Sequence, residues 1–150
     1  TNVLRSGNKL IGYSTLFLDI LKAILPVIYV KYNYPDFIYI SSLSVFLGHV
    51  FPIWLKFNGG KGVATYLGIL FGINLIYGLV FGLTWIIIFV FSKYSSLSSL
   101  IGTLSIPVYL FITNGNQIIF FVIMFVLIFY THRENIKRLK NKEENKTKIY

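Results

Sequence analysis

The fold is decided by one long apolar stretch, VATYLGILFGINLIYGLVFGLTWIIIFVF, which occupies residues 63–91 and contains no charged residue. A membrane-spanning helix needs about 20 residues, because each residue adds about 1.5 Å along the axis. The stretch is therefore too long for one comfortable span. It predicts two short helices with a turn near Asn74, and one long tilted helix is the alternative.

Other apolar segments flank this stretch, and polar breaks separate them from one another. They are residues 11–30, 37–57, 97–112 and 117–130. The chain of 150 residues is 55% hydrophobic and 13% charged, and its mean hydropathy is +0.70. Five acidic and 14 basic residues cannot supply the polar surface of a soluble domain of this size. The sequence predicts an all-α integral membrane protein, a polytopic bundle of about six transmembrane helices.

The composition changes abruptly after residue 131. We therefore expect a transmembrane domain over residues 1–131 and a basic cytoplasmic tail over residues 132–150. The tail has little apolar surface to bury, so it is expected to begin as an interfacial helix and to continue as a disordered segment. The chain contains no cysteine, which excludes disulfides and thiolate metal sites.

The basic residues indicate the topology. Six spans place every Lys and Arg on one face of the membrane except Lys22, within a span, and Lys31, on the opposite face. The positive-inside rule makes the basic face cytoplasmic. A five-span arrangement is the alternative, and the charge bias favours six. The nearest partner of the basic tail is anionic membrane lipid rather than nucleic acid.

The loop Gly59-Gly60-Lys61-Gly62 is the first candidate site. Glycines allow backbone amides to converge on an anion, the helix after Gly62 adds its positive end, and Lys61 supplies a full charge. This pattern predicts an anion site, plausible for phosphate. It lacks the spacing of a Walker A loop. A flexible loop between helices with a snorkelling lysine is the alternative.

Four more residues could carry chemistry. Arg5 precedes the first span and could clamp a phosphate, or it could simply set topology. Ser96 follows Ser95 at the start of a helix, where N-capping is the common role of serine. His132 and Asn135 lie at i, i+3 and face the same way, although an interfacial histidine alone indicates little.

Ionisable residues also lie within the spans. Asp19 and Lys22 share a helix face at i, i+3 and can partly neutralise each other. His49 precedes Pro52, and we expect it to bond a backbone carbonyl freed near that proline rather than to act in catalysis. Such intramembrane groups could also line a transport path.

Short motifs follow one another along nearly the whole chain. They are TNVLR at 1–5, LDILK at 18–22, LGHVFP at 47–52, FNGGKGVAT at 57–65, KYSSLSS at 93–99 and HRENIKRL at 132–139. Together they resemble the ordered motifs of the bacterial acyl-phosphate-dependent glycerol-3-phosphate acyltransferases of the inner membrane, the PlsY family. The segment 47–65 is similar to the second motif of that family almost letter for letter.

The resemblance implies transfer of an acyl group from acyl phosphate to the 1-hydroxyl of glycerol 3-phosphate, giving lysophosphatidic acid for phospholipid biosynthesis. It implies no metal and no cofactor. By position, Arg5 and Lys61 would hold phosphate. The residues implied to order the substrates are Ser96, His132 and Asn135, and those implied to form an amide cradle are Gly59, Gly60 and Gly62. The departing phosphate would help to accept the proton.

The sequence departs from the family pattern at its front. The family has a further N-terminal helix, seven in all, and a serine- and glycine-bearing first half of motif one. Neither appears before Thr1, so we expect either a fragment of a longer chain or a degenerate relative. Two other functions are therefore kept as alternatives, a small membrane transporter and a catalytically inactive membrane subunit. Acyl-chain preference and oligomeric state do not follow from the sequence.

Overall fold

The computed structural model describes residues 9–147, and all regular secondary structure within them is helical. The α-helices are α1 (Lys9–Asn33), α2 (Ile38–Val50), α3 (Val63–Ile73), α4 (Leu75–Ser92), α5 (Ser95–Ile112), α6 (Ile118–Thr131) and α7 (Arg133–Lys140). Single 3-10 turns, Pro35–Phe37 and Ile53–Leu55, flank α2. The predicted all-α membrane fold is confirmed.

Four helical segments of the described chain are long and apolar enough to cross a membrane: α1, α2 with its flanking turns, α4 and α5. A fifth span is present if α6 and α7, which meet at a bend of 64°, are counted as one. Each apolar segment predicted from the sequence contains an α-helix, but the described residues hold four or five candidate spans rather than about six. However, α3 has 11 residues, or about 16 Å, against a hydrocarbon core of about 30 Å.

Large apolar side chains cover the outside of these helices, as lipid contact requires. Phe91 is 84% exposed and Trp54 is 78% exposed. A soluble surface rarely carries so many exposed aromatic and aliphatic side chains. The helices also satisfy their own backbone hydrogen bonds, which is the condition for stability in hydrocarbon.

The long apolar stretch is divided at Asn74, so the two-helix prediction is confirmed. Asn74 adopts an extended conformation at the end of α3. Its Oδ1 accepts a hydrogen bond of 2.8 Å from the amide of Ile76. This side chain satisfies one of the unpaired amides at the start of α4, which is the usual role of asparagine at a helix N-terminus.

The chain divides into two compact units, Thr1–Gly78 and Leu79–Tyr150, here called the first and second units. In the first unit, α3 packs against α1. A Cβ at Gly68 would collide with the carbonyl oxygen of Ile20, and a Cβ at Gly72 would lie 2.7 Å from the side chain of Val27. The two glycines therefore allow the backbones of α1 and α3 to approach closely.

The sequence contains two small-xxx-small pairs, Gly68/Gly72 and Gly78/Gly82, a spacing that predicts close approach of the two halves of residues 63–91. The structure corrects this prediction for the first pair. Gly68 and Gly72 face α1 instead. Of the second pair, Gly78 lies against the ring of Phe71 on α3, whereas Gly82 has no atom within 4 Å of a Cβ position. The first pair therefore makes a close helix contact with an unpredicted partner, and in the second pair only Gly78 contacts the predicted one.

In the second unit, α5 packs against α6. The buried side chains of these helices include Ile106, Leu110, Phe121 and Met124. After α7 the chain turns back, because the amide of Glu143 donates to the carbonyl of Arg138 at 2.8 Å.

The returning segment then reaches the loop before α5. The amide of Thr147 donates to the carbonyl of Lys93 at 2.9 Å. The expectation that the tail beyond its helix is disordered is therefore wrong for residues 141–147. Hydrogen bonds, rather than apolar burial, hold this segment in place.

Candidate functional site

The glycine loop folds back on the end of α2. The amide of Gly59 donates to the carbonyl of Val50 at 3.1 Å, and the amide of Gly60 donates to the carbonyl of His49 at 3.2 Å. A Cβ at Gly59 would meet the His49 carbonyl oxygen, and a Cβ at Gly60 would meet the His49 imidazole. Glycine is required here for close approach. Both amides have carbonyl partners, which argues against their donating to an anion, and the predicted role of these glycines in an anion cradle stays a prediction.

The other half of the loop keeps the features of an anion site. Gly62 has φ of +84° and lies over the ring of Phe46. It places the half-buried Lys61 directly before α3. The amides of the first helical turn have no carbonyl partner within a helix, and the helix dipole adds partial positive charge there. The lysine and the start of α3 together can therefore attract an anion.

Asp19, Lys22 and His49 form a cluster in the first unit. Lys22 Nζ lies 2.7 Å from Asp19 Oδ1 and 2.8 Å from His49 Nδ1. An ammonium group only donates, so Nδ1 accepts and the proton of the neutral imidazole is on Nε2. The Asp19–Lys22 pair is confirmed. The expected partner of His49 is corrected: its Nδ1 pairs with Lys22 rather than lying against a carbonyl freed near Pro52.

A second polar cluster is buried in the second unit, where Glu144 joins two of the predicted site residues. Ser96 Oγ donates to Glu144 Oε1 at 2.8 Å, and Asn135 Nδ2 donates to the same oxygen at 2.7 Å. Ser96 is 4% exposed and Asn135 is 5% exposed. Ser96 lies in the first turn of α5, which begins at Ser95, so it is not the N-cap; Tyr94 occupies that position.

Arg138 completes the environment of the Glu144 carboxylate. Its Nε donates to Oε2 at 2.7 Å, and the Glu144 side chain is almost fully buried. Burial alone would raise the pKa of Glu144. The hydrogen bonds from Asn135, Arg138 and Ser96, with the charge of Arg138, outweigh it, and the pKa of Glu144 lies below its usual value. The group is therefore a carboxylate at neutral pH.

His132 lies at the bend between α6 and α7 and is 2% exposed. Its Nδ1 is 2.8 Å from the carbonyl oxygen of Ile128. A carbonyl only accepts, so Nδ1 carries the proton and Nε2 is the acceptor nitrogen of the neutral ring. The backbone of α6 thus fixes both the tautomer and the orientation of the imidazole.

The structure brings Ser96 and Asn135 together and places His132 one helical turn before Asn135. Arg5 lies outside the described residues.

Sequence reasoning missed Glu144 and Arg138. The available signal was weak: Glu143 and Glu144 are adjacent acids in a strongly basic tail. Nothing in their local pattern indicates a return to α5.

The fold defines an all-helical integral membrane protein, and each of its two units contains a polar cluster among the described residues. A sequence profile described as glycerol-3-phosphate acyltransferase matches residues 1–142. The chain is 71% identical over 150 residues to a glycerol-3-phosphate acyltransferase of Pelagibacter ubique, covering 100% of this chain and 78% of the relative. It is 43% identical over 148 residues to that of Brucella canis, covering 97% and 73%. The chain belongs to the glycerol-3-phosphate acyltransferase family.

Solved structures agree with this assignment. The glycerol 3-phosphate form of PlsY, an integral membrane glycerol 3-phosphate acyltransferase, matches with a TM-score of 0.91 at 34% identity. The match covers 98% of this chain and 76% of that one. The lysophosphatidic acid form matches with a TM-score of 0.90, covering 98% and 78%. A transporter or an inactive subunit is not favoured.

Proposed function

We propose that this chain transfers an acyl group from acyl phosphate to the 1-hydroxyl of glycerol 3-phosphate. The hydroxyl oxygen bonds to the acyl carbon, the bond between that carbon and the phosphate oxygen breaks, and the hydroxyl proton leaves with the phosphate. The products are lysophosphatidic acid and inorganic phosphate. The reaction serves phospholipid biosynthesis and requires no metal or cofactor.

One observation carries the proposal. The chain superposes over 98% of its length on an integral membrane acyltransferase in its glycerol 3-phosphate form, at a TM-score of 0.91. The second form of that protein holds lysophosphatidic acid. Glycerol 3-phosphate and lysophosphatidic acid are the acceptor and the product of the proposed transfer. The similarity extends over nearly the whole of this chain and 76% of the solved one, and it supports the same reaction.

Lys61 is proposed to bind a substrate phosphate together with Gly62 and the first amides of α3. Arg5 would add a bidentate guanidinium to this group. Gly59 and Gly60 shape the loop through their contacts with α2 and do not donate their amides to the ligand. Two anionic substrates need cationic and amide partners of this kind, since like charges must be brought together before the reaction.

Ser96, His132 and Asn135 are proposed to order the substrates around the attacking hydroxyl. All three are buried and held by short hydrogen bonds to Glu144 or to backbone. Acyl phosphate is already activated, so correct positioning and charge stabilisation can supply much of the catalysis. A strong protein base is not required, because the departing phosphate accepts the proton.

The proposed location is the bacterial inner membrane, with the loops that carry Lys61 and Ser96 and the C-terminal tail on the cytoplasmic side. The excess of Lys and Arg in these segments supports that orientation. The acyl chain of the donor would reach the site laterally from the bilayer, in keeping with the exposed apolar surface of the helices.

The test uses the purified chain in lipid with acyl phosphate and labelled glycerol 3-phosphate. We expect labelled lysophosphatidic acid and inorganic phosphate in equal amounts, and none with acyl-CoA as donor. Phosphate release without labelled lipid would indicate hydrolysis only. Labelled lipid formed from acyl-CoA alone would assign a different donor.

A further inference from the structure

The amide of Asn135 has a fixed orientation. Glu144 Oε1 lies 2.7 Å from the side-chain nitrogen, and an ionised carboxylate only accepts hydrogen bonds. The amide nitrogen must therefore face Glu144, because the reverse orientation would place two acceptor oxygens against each other. It follows that Oδ1 of Asn135 points away from the carboxylate.

This oxygen is buried and has no hydrogen-bond partner among the described residues. Asn135 as a whole is only 5% exposed, so bulk water does not replace the missing partner. A buried acceptor without a donor is destabilising. Unpaired buried groups of this kind are rare in folded proteins, and each calls for an explanation such as a catalytic role or a bound partner.

The chemistry of the substrates limits what the ligand donor can be. A phosphate dianion offers only acceptor oxygens, and so does the acyl carbonyl of acyl phosphate. The hydroxyl groups of glycerol 3-phosphate are the donors in the proposed pair of substrates. An amide oxygen at this position therefore suits a glycerol hydroxyl and disfavours phosphate.

Resting on the function proposed above, we propose that Glu144 is a positioning residue that holds Asn135 so that its Oδ1 accepts a hydrogen bond from a glycerol hydroxyl. The same carboxylate oxygen accepts a hydrogen bond from the Ser96 hydroxyl, which leaves the lone pairs of Ser96 Oγ as acceptors. Arg138 holds the other carboxylate oxygen. Glu144 thus determines which atoms of Ser96 on α5 and Asn135 on α7 donate to the protein and which are left to accept from a ligand.

The Glu144 carboxylate could instead act as a competitor of phosphate, and this role makes a different prediction for phosphate binding. A tail acid bonded to the donors of Ser96 and Asn135 could compete with a substrate phosphate for those donors. Removing it would then strengthen phosphate binding. The unpaired Asn135 Oδ1 favours positioning, since a phosphate competitor leaves that oxygen unexplained.

The decisive variant is Glu144→Gln, which keeps the size of the side chain. Glutamine has one acceptor oxygen, so it can serve the Asn135 amide or Arg138 but not both. If its NH₂ group faces Asn135, the Asn135 amide turns so that Oδ1 accepts a hydrogen bond from the glutamine. Oδ1 is then no longer directed at the glycerol hydroxyl. The matched control is Glu143→Gln, because Glu143 is the exposed neighbour and carries the same charge. Thermal unfolding of both variants in detergent reports on folding.

Equilibrium binding of labelled glycerol 3-phosphate and competition by inorganic phosphate are measured alongside turnover. We expect Glu144→Gln to weaken glycerol 3-phosphate binding and to lower kcat/KM by about tenfold or more. The inhibition constant of inorganic phosphate should stay within about twofold, and Glu143→Gln should match the parent. Unchanged binding of glycerol 3-phosphate, or tighter binding of phosphate, overturns the proposal.

A double-mutant cycle separates positioning from simple docking of the tail. In an Asn135→Ala background, Glu144→Gln should have little further effect on glycerol 3-phosphate binding. Full additivity of the two changes would contradict positioning through Asn135. The binding assays do not require turnover. If the parent binds glycerol 3-phosphate but forms no lipid, the proposed function is contradicted. The binding assays on the Glu144 variants still decide whether Glu144 positions Asn135.

Discussion

The hydroxyl of Ser96 lies 2.8 Å from Oε1 of Glu144, although 48 positions separate the two residues. This hydrogen bond makes the C-terminal segment part of the polar cluster that also contains Asn135. The segment after α7 therefore shapes a candidate site rather than serving only as a basic tail. The Glu144 carboxylate joins it to α5 and α7, and the backbone hydrogen bond from Thr147 to Lys93 adds a second attachment.

The first prediction concerns acid pH. The pKa of folded Glu144 lies below its usual value of 4.5, so the unfolded chain binds more protons in that range and stability rises with pH there. The stabilisation from Glu144 should be present above about pH 4.5 and should be lost as the pH falls through the lower pKa that Glu144 has in the folded chain. Thermal unfolding of the parent and of Glu144→Gln in detergent should differ at pH 7 and converge in acid. A difference that persists unchanged into strong acid would contradict this account.

The helices, and the break between two of them, could be predicted from the sequence because their signals are local. Residues 63–91 are too long for one span, and Asn74 is the polar residue near the middle of this run. Its side chain caps the start of α4, which is a short-range interaction. Local signals of this kind do not depend on how distant segments pack.

The environment of Glu144 could not be predicted, because it depends on a return of the chain from α7 to α5. A short basic segment has no apolar periodicity to indicate such a return. Likewise, the glycine spacing identified close contacts, but the selection of α1 as the partner of Gly68 is a tertiary choice. The roles of Ser96, His132 and Asn135 came from resemblance rather than from spacing, and they stay proposals.

The second prediction tests the contact between the glycine loop and α2. Gly60→Ala places a methyl group against the His49 imidazole. We expect a loss of about 1–3 kcal/mol in unfolding free energy, as for overpacked sites, with a large fall in activity as the loop moves. The measurement is thermal unfolding with acyl transfer assayed in parallel.

The control for that variant is Gly48→Ala. Gly48 lies within α2, and nothing stands within 4 Å of a Cβ built there. Alanine at an unhindered helical position should be neutral or stabilise by about 0.5–1 kcal/mol. Equal destabilisation by the two substitutions would mean that the close approach of the loop to His49 is not what requires glycine.

The third prediction concerns the packing of α1 and α3. Gly68→Ala brings a methyl group into the carbonyl oxygen of Ile20 and to 2.9 Å from the Ala23 Cβ. Backbone cannot move aside as a flexible side chain can, so we expect destabilisation of about 1–3 kcal/mol. Gly82→Ala, at a position with open space, should leave the unfolding midpoint unchanged or slightly higher. A similar midpoint for both variants would argue against a tight α1–α3 contact.

The fourth prediction concerns Lys61, the lysine proposed to bind phosphate. Lys61→Ala should lower kcat/KM for glycerol 3-phosphate or acyl phosphate by about 100-fold or more, because a charge-assisted contact to phosphate is lost in a low-dielectric site. Lys137→Ala removes the same charge from an exposed position on α7. It should retain activity close to that of the parent.

The most direct test of the central claim is formation of labelled lysophosphatidic acid from acyl phosphate and glycerol 3-phosphate by the purified chain in lipid. We expect product from the parent and from Lys137→Ala, and almost none from Lys61→Ala at equal amounts of folded protein. Undiminished product from Lys61→Ala would contradict the proposed phosphate site. Absence of product from a folded parent that has both substrates would contradict the proposed acyltransferase activity of this chain.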